Sequence, residues 1–189
     1  MRIVIGLAGS SGPIYGIRIL EVLRQLGVDT HLVVSDGARQ TIPLETGGRW
    51  TVEKVQALAT VVYDNRDLAA SISSGSFLTD GMIVAPCSMK TVAAIAHSFS
   101  QDLLARAADV TLKERRKLVL VPRETPLHLG HLRNMVSASE IGAVILPPVP
   151  AFYHGPSTID DLINQTVGKV LDQFHIEHAL FRRWRSPAE

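Results

Sequence analysis

The chain has 189 residues, of which 46% are hydrophobic, with a formal net charge of +1 and one cysteine. A core of that size needs no disulfide or metal, near-neutral charge provides no general field for nucleic acid, and no run reaches the roughly 18 apolar residues that cross a bilayer. One cytoplasmic domain over 1–189 is expected, acting on small molecules or other proteins; a signal peptide's charged and apolar regions do not open the sequence.

The first element is the apolar run "RIVIGLAG" from Arg2, followed by the glycine-rich turn "GLAGSSGPIYG". Glycines let backbone N–H groups approach an anion, and a following helix presents its positive end. Gly6, Gly9 and Gly12 recur every third residue, with hydroxyls at Ser10 and Ser11. This is neither the dinucleotide G-x-G-x-x-G nor a P-loop with its Lys-Ser/Thr pair. An anion site of unstated kind is therefore expected. A helix follows, with Ile14, Ile17, Leu20, Leu23 and Leu26 at helical spacing and Gly27 as its stop.

Further strands are predicted at "THLVVS", "GMIVAPCS", "KLVLVPRE" and "AVILPPVP", each apolar on both faces. Helices are predicted at "TVAAIAHSF", "DLLARAADVTLKERR", "LHLGHLRNMVSASEIG" and "TIDDLINQTVGKVLDQF", the last capped by Thr158 or Ser157. Strands alternating with helices predict an α/β fold, a parallel sheet with helices on both faces.

Ligands in such sheets sit beyond the carboxyl ends of the strands. The residues there are Gly9 to Gly12, Ser35, Cys87 to Thr91, Arg123 with Glu124, and the stretch to Phe152, Tyr153 and His154. Hydroxyls, glycines and an arginine suit a phosphate monoester and a polar ring better than an apolar pocket.

Several of these residues carry two readings. Ser88 and Thr91 fit a helix cap alone and equally a cap that also holds a ligand. Cys87 is a buried packing residue or a thiol activated by a helix N-terminus. Arg123 and Glu124, a charged pair closing a buried strand, need partners or solvent, which favours function. Arg106 and Lys113 lie two turns apart on one helical face and could aim at a common anion, while "KERRK" reads mostly as a solvated helix end. His128 and His131 have ligand-like spacing without a third ligand, so a structural role is favoured. Trp184 could pack at a subunit interface.

Taken together, "GSSG", "PCSMKT", "RAADVTLKERRKLVLVPRE", "GAVILPPVPAFYH" and the "RRW" tail closely resemble the UbiX-type flavin prenyltransferases over nearly the whole chain. The resemblance implies a flavodoxin-like (Rossmann-like) three-layer α/β/α fold with a doubly wound parallel sheet. It also implies a dodecamer, with the C-terminal helix and tail (about 159–189) in oligomer contacts. The implied activity is metal-independent joining of a dimethylallyl group, taken from dimethylallyl monophosphate, to N5 and C6 of reduced FMN. Prenylated FMN then serves a UbiD-type decarboxylase.

Carried over by position, the family's flavin contacts fall on Gly9, Ser10, Ser11, Ser35, Ser88, Met89, Lys90, Thr91 and Arg123. Its donor contacts fall on Tyr153, Lys169, Arg106 and Lys113. Glu124, Ser11 and Glu45 occupy the catalytic positions, with Glu124 handling the proton and the other two positioning flavin and phosphate. Two departures stand out. Lys169 replaces an arginine found in some relatives, keeping the charge but losing the bidentate fork, and Leu68 stands where some carry tryptophan. An alternative is an FMN-carrying accessory subunit of a hydroxyarylic acid decarboxylase. The related cysteine decarboxylases fit less well, because "PCSMKT" replaces their Asn-containing motif and no histidine follows the glycine loop.

Overall fold

The computed structural model describes residues 1–185. In chain order the elements are β1 (Arg2–Leu7), α1 (Pro13–Gln25), β2 (Asp29–Val34), α2 (Asp36–Glu45), α3 (Val52–Gln56), β3 (Val61–Tyr63), β4 (Gly81–Cys87), α4 (Met89–Ala96), α5 (Leu103–Lys113), β5 (Lys117–Pro122), α6 (Leu129–Glu140), β6 (Ala143–Ile145) and α7 (Ile159–Asp172). The six strands form one parallel sheet in the order β3-β2-β1-β4-β5-β6. The chain winds outward from β1 to β3 and then crosses to β4, so the switch point lies between β1 and β4.

Alternation along the strands builds the two outer layers. Ile3, Ile5, Leu7, Leu32, Ile83 and Val119 point to one side and pack with Ile17, Leu20 and Leu23 of α1 and Val167, Val170 and Leu171 of α7. Val4, Val33, Met82, Val84, Leu118 and Leu120 point to the other, against Val92 of α4, Leu103, Leu104 and Ala108 of α5 and Ala138 of α6. The expected three-layer α/β/α fold is therefore present, with a core on each face. Truncating one of the fully buried leucines to alanine would cost about 2–5 kcal/mol. At Gly16 a Cβ would overlap the Ala85 carbonyl oxygen, so α1 rests directly on the β4 backbone.

Several boundaries differ from the sequence expectation. β3, α2 and α3 were not foreseen, and β6 is only three residues long, because "LPPVP" leaves the sheet after Ile145. α4 starts at Met89 rather than Thr91. Thr158, not Ser157, is the N-cap of α7; its hydroxyl accepts from Asp161 N while Asp161 accepts from Thr158 N. The expected tail contribution extends to 189, and residues 186–189 lie outside the described ones. Among the described residues no helix is long and apolar enough to cross a membrane.

Candidate active site

Three helix N-termini converge beyond the carboxyl ends of the central strands, each built by a side-chain cap. Ser35 accepts from Ala38 N at 3.2 Å, Ser88 from Thr91 N at 3.2 Å, and Asp102 from Ala105 N at 2.9 Å. Ser88 Oγ and Thr91 Oγ1 also lie 2.9 Å apart. Between them is a cavity of 240 Å³, lined by Gly9, Ser35, Asp36, Gly37, Asn65, Ser88, Lys90, Thr91 and Asp102. The helix ends and Lys90 offer positive potential beside the Asp36 and Asp102 carboxylates, and hydroxyls line the same wall. Glycine is required on the β1 side, since a Cβ on Gly9 would come within 2.7 Å of Gly37 Cα.

The loop tips beside this cavity are tied together. Ser10 Oγ donates to the Arg123 carbonyl at 2.9 Å, and Arg123 N donates to the Cys87 carbonyl at 3.3 Å, joining the ends of β1, β4 and β5. Ser11 Oγ and Gly12 N both donate to Glu45 Oε2, at 3.0 and 2.8 Å. Gly12, at φ +89°, begins α1 without a side-chain cap of its own, and Glu45 supplies the negative group that this N-terminus favours. Glu124 is exposed and accepts from Thr125 N at 3.1 Å. Among the described residues Arg123 Nε is one of seven buried side-chain polar atoms without a hydrogen-bond partner, Arg18 Nε being another. Met89 is buried under the α4 N-terminus.

A second group lies between the loop after β6 and α7. Tyr153 is 43% exposed; its hydroxyl receives a hydrogen bond from Gln165 Nε2 at 3.4 Å, one helical turn before Lys169. The Trp184 ring meets Tyr153 edge to face, with centroids 5.8 Å apart at 88°. Lys169 Nζ lies 3.5 Å from Asp172.

Arg106 and Lys113 do not converge on a common anion within the chain. Helix α5 starts at the cavity and carries them away from it, towards the opposite end of β5. Arg106 donates to Ser73 O at 3.2 Å and pairs with Asp109 at 2.8 Å, and Lys113 pairs with Glu114. Of "KERRK", Arg116 is structural, donating to the Gly75 and Phe77 carbonyls.

Cys87 is fully buried, and burial pushes its thiol well above the usual range, which favours the packing reading over an activated thiol. His128 caps α6, its Nδ1 accepting from Gly130 N at 3.0 Å, and stacks on His131 with centroids 3.6 Å apart. No metal-holding group of His, Cys, Asp and Glu occurs among the described residues. Leu68 is 49% exposed in the segment after β3.

Sequence reasoning missed Asn65, Asp36 and Gly37, all attached to elements it did not foresee. Asn65 Oδ1 accepts from Leu104 N at 3.0 Å and its carbonyl accepts from Leu103 N at 2.8 Å, so this one residue docks the start of α5 on the cavity wall. Asp102 stood at the start of a predicted helix, and its capping role was the available signal.

Glycine close approach and three capped helix N-termini at the strand ends fit a phosphorylated ligand and define an α/β protein of the phosphate-binding kind. The family model described as Flavoprotein matches residues 1–171. The flavin prenyltransferase UbiX of Thauera aromatica is 61% identical over 100% of this chain and 96% of its own length, and that of Escherichia coli K12 is 61% identical over 97% of this chain and 98% of its own. A dodecameric FMN-dependent UbiX-like decarboxylase from Escherichia coli O157:H7 superposes with a TM-score of 0.95 at 50% identity, covering 98% of this chain and 100% of that one. AnUbiX (PadA1), solved in complex with FMN and dimethylallyl pyrophosphate, gives 0.95 at 52% identity, covering 99% and 98%. The peptidyl-cysteine decarboxylase EpiD, at 16% identity and a TM-score of 0.65, shares the fold alone. The chain belongs to the UbiX flavin prenyltransferases.

Proposed function

We infer that this protein is a metal-independent flavin prenyltransferase, which joins a dimethylallyl group to N5 and C6 of reduced FMN and releases phosphate. The observation that carries this reading is the adjacency, at the strand ends, of an anion-binding flavin cradle and the Arg123–Glu124 pair. The AnUbiX complex, holding FMN together with dimethylallyl pyrophosphate, supports a pairing of FMN with a dimethylallyl donor. Reduced flavin supplies the nucleophilic N5 and C6 atoms. The residues do the rest.

Breaking an allylic C–O bond leaves a phosphate and a delocalised cation, so fixed positive charge must meet the first and electron-rich faces the second. Lys169 and Arg123 would hold the phosphate. Tyr153 and Trp184, crossed edge to face, would border the cation. Ring closure at C6 releases a proton, and Glu124, exposed at the tip of β5, is the base assigned to it. Ser11, held by Glu45, would orient the flavin edge. Gly9, Ser10, Ser35, Ser88, Met89, Lys90 and Thr91 complete the cradle.

Arg106 and Lys113 are led away from this site by α5, so a neighbouring copy would have to deliver them. The dodecameric state of the Escherichia coli O157:H7 relative supports an assembly of that kind here, with the C-terminal helix and tail in its contacts. The donor is assigned as dimethylallyl monophosphate, the recipient of prenylated FMN as a UbiD-type decarboxylase, and the compartment as the cytoplasm.

Anaerobic incubation with reduced FMN and either the monophosphate or the pyrophosphate ester, followed by chromatography of the flavin and phosphate assay, tests the reading. Loss of FMN with stoichiometric phosphate from the monophosphate is expected. An accessory FMN carrier would leave both esters and the flavin unchanged.

A further inference from the structure

Asp172, the last residue of α7, is where three basic side chains meet. Its carboxylate accepts from Arg183 Nη2 at 2.7 Å and Nη1 at 3.1 Å, and lies 3.2 Å from His178 Nε2 and 3.5 Å from Lys169 Nζ. The bidentate geometry is the strong form of this pair, and the carboxylate side chain is only 18% exposed. The Arg183 hydrogen bond holds the Asp172 carboxyl below the usual carboxylate range, against the opposing effect of burial. It therefore stays ionised at neutral pH.

The hydrogen-bond network also sets the state of His178. Its Nε2 lies 2.9 Å from the Gly168 carbonyl oxygen, which only accepts, so Nε2 carries the hydrogen; Nδ1 accepts from Leu180 N at 3.3 Å. A neutral imidazole thus straps residues 178–180 to α7. There is no space between strap and helix, since a Cβ on Gly168 would come within 2.6 Å of the His178 ring and 2.5 Å of the Phe181 ring. Trp184 follows Arg183 directly and is 64% exposed, so its crossing of Tyr153 depends on where Arg183 is held.

We propose that Asp172 is a positioning residue for prenyl transfer: by clamping Arg183 to the end of α7 it sets Trp184 against Tyr153, and it holds Lys169 on the same wall. The proposal rests on the reading that Lys169 meets the donor phosphate and Tyr153 borders its allylic cation. Clamping and plain electrostatics predict opposite signs. With His178 neutral, Lys169 and Arg183 against Asp172 leave a surplus of one positive charge. Removing the carboxylate raises that surplus to two, which by charge alone would tighten phosphate binding. Loss of the clamp frees both cations and the tryptophan, which weakens it.

The test uses the full chain carrying Trp50→Phe, which leaves Trp184 as the reporter, since the protein has two tryptophans. In that background Asp172→Asn should make Trp184 more open to acrylamide quenching and raise KM for dimethylallyl monophosphate about tenfold, with FMN affinity unchanged. Asp172→Glu should recover part of the loss. Arg183→Gln should reproduce it, and the double variant should be no worse than either single one. A donor KM that is unchanged or lower, with Trp184 quenched as in the parent, would overturn the proposal, as would additive losses. Should Asp172→Asn fail to fold, Arg183→Gln on its exposed segment decides by the same two readouts. If the parent transfers no prenyl group, the functional reading fails, and Trp184 quenching still decides whether the clamp exists.

Discussion

A Cβ on Gly9 would lie 2.7 Å from Gly37 Cα, so the loop after β1 and the first turn of α2 pack backbone against backbone. Both residues line the cavity between the capped helices. Gly9→Ala must push these segments apart, at a cost of about 1–3 kcal/mol. Urea melts should show that loss, and FMN titration should show affinity reduced by more than the stability change explains, because the displaced backbone belongs to the cradle.

Among the described residues the Glu124 carboxylate accepts one hydrogen bond, from Thr125 N, and the residue is exposed at the tip of β5. Replacing it with glutamine keeps shape and hydrogen-bonding capacity but removes the base. Glu124→Gln should bind FMN like the parent, while single-turnover prenylation slows by about 10²–10⁴. A variant transferring at the parental rate would remove Glu124 from proton handling.

Lys169 presents a point charge where a guanidinium would present two parallel donors. Lys169→Arg should therefore keep turnover and lower KM for the donor by about three- to tenfold, and Lys169→Met should raise it. Steady-state kinetics with dimethylallyl monophosphate separates the two effects; equal KM values for all three proteins would place Lys169 outside the phosphate site.

Asp161 accepts from Ser157 N at 2.9 Å and Thr158 N at 2.8 Å, and the Ser157 backbone hydrogen bond leads in lowering its pKa to about 2. A carboxyl held below its ordinary value of 3.8 stabilises the fold fully above 3.8, and that contribution fades as pH falls towards about 2. Asp161→Asn should thus have a lower Tm than the parent at neutral pH, with the gap closing between those values. Calorimetry across that range checks the sign, and a gap that widens on acidification would contradict it.

The buried strands were legible because both faces of β1, β4 and β5 are covered, which leaves continuous apolar runs. β3 was not legible: it is a three-residue edge strand, and Val61 and Val62 are exposed. Helix α2 was hidden by Gly37 and Pro43 and by its mostly polar face, with only Ala38 and Ile42 buried. The site followed the same division. Ser10, Ser35, Ser88 and Arg123 drew attention because they end visible strands, whereas Asn65, which lines the cavity, follows a strand that left no signal. Spacing placed Arg106 and Lys113 on one helical face, but spacing fixes a face and not its target, and both found partners within the chain.

Flavin mass after one turnover bears most directly on prenyl transfer. The protein is incubated anaerobically with reduced FMN and dimethylallyl monophosphate, and the extracted flavin is weighed by mass spectrometry. A flavin heavier than FMN by one five-carbon prenyl unit is the predicted result. Unaltered FMN, with both ligands shown to bind, would contradict prenyl transfer and leave a protein that only carries the flavin.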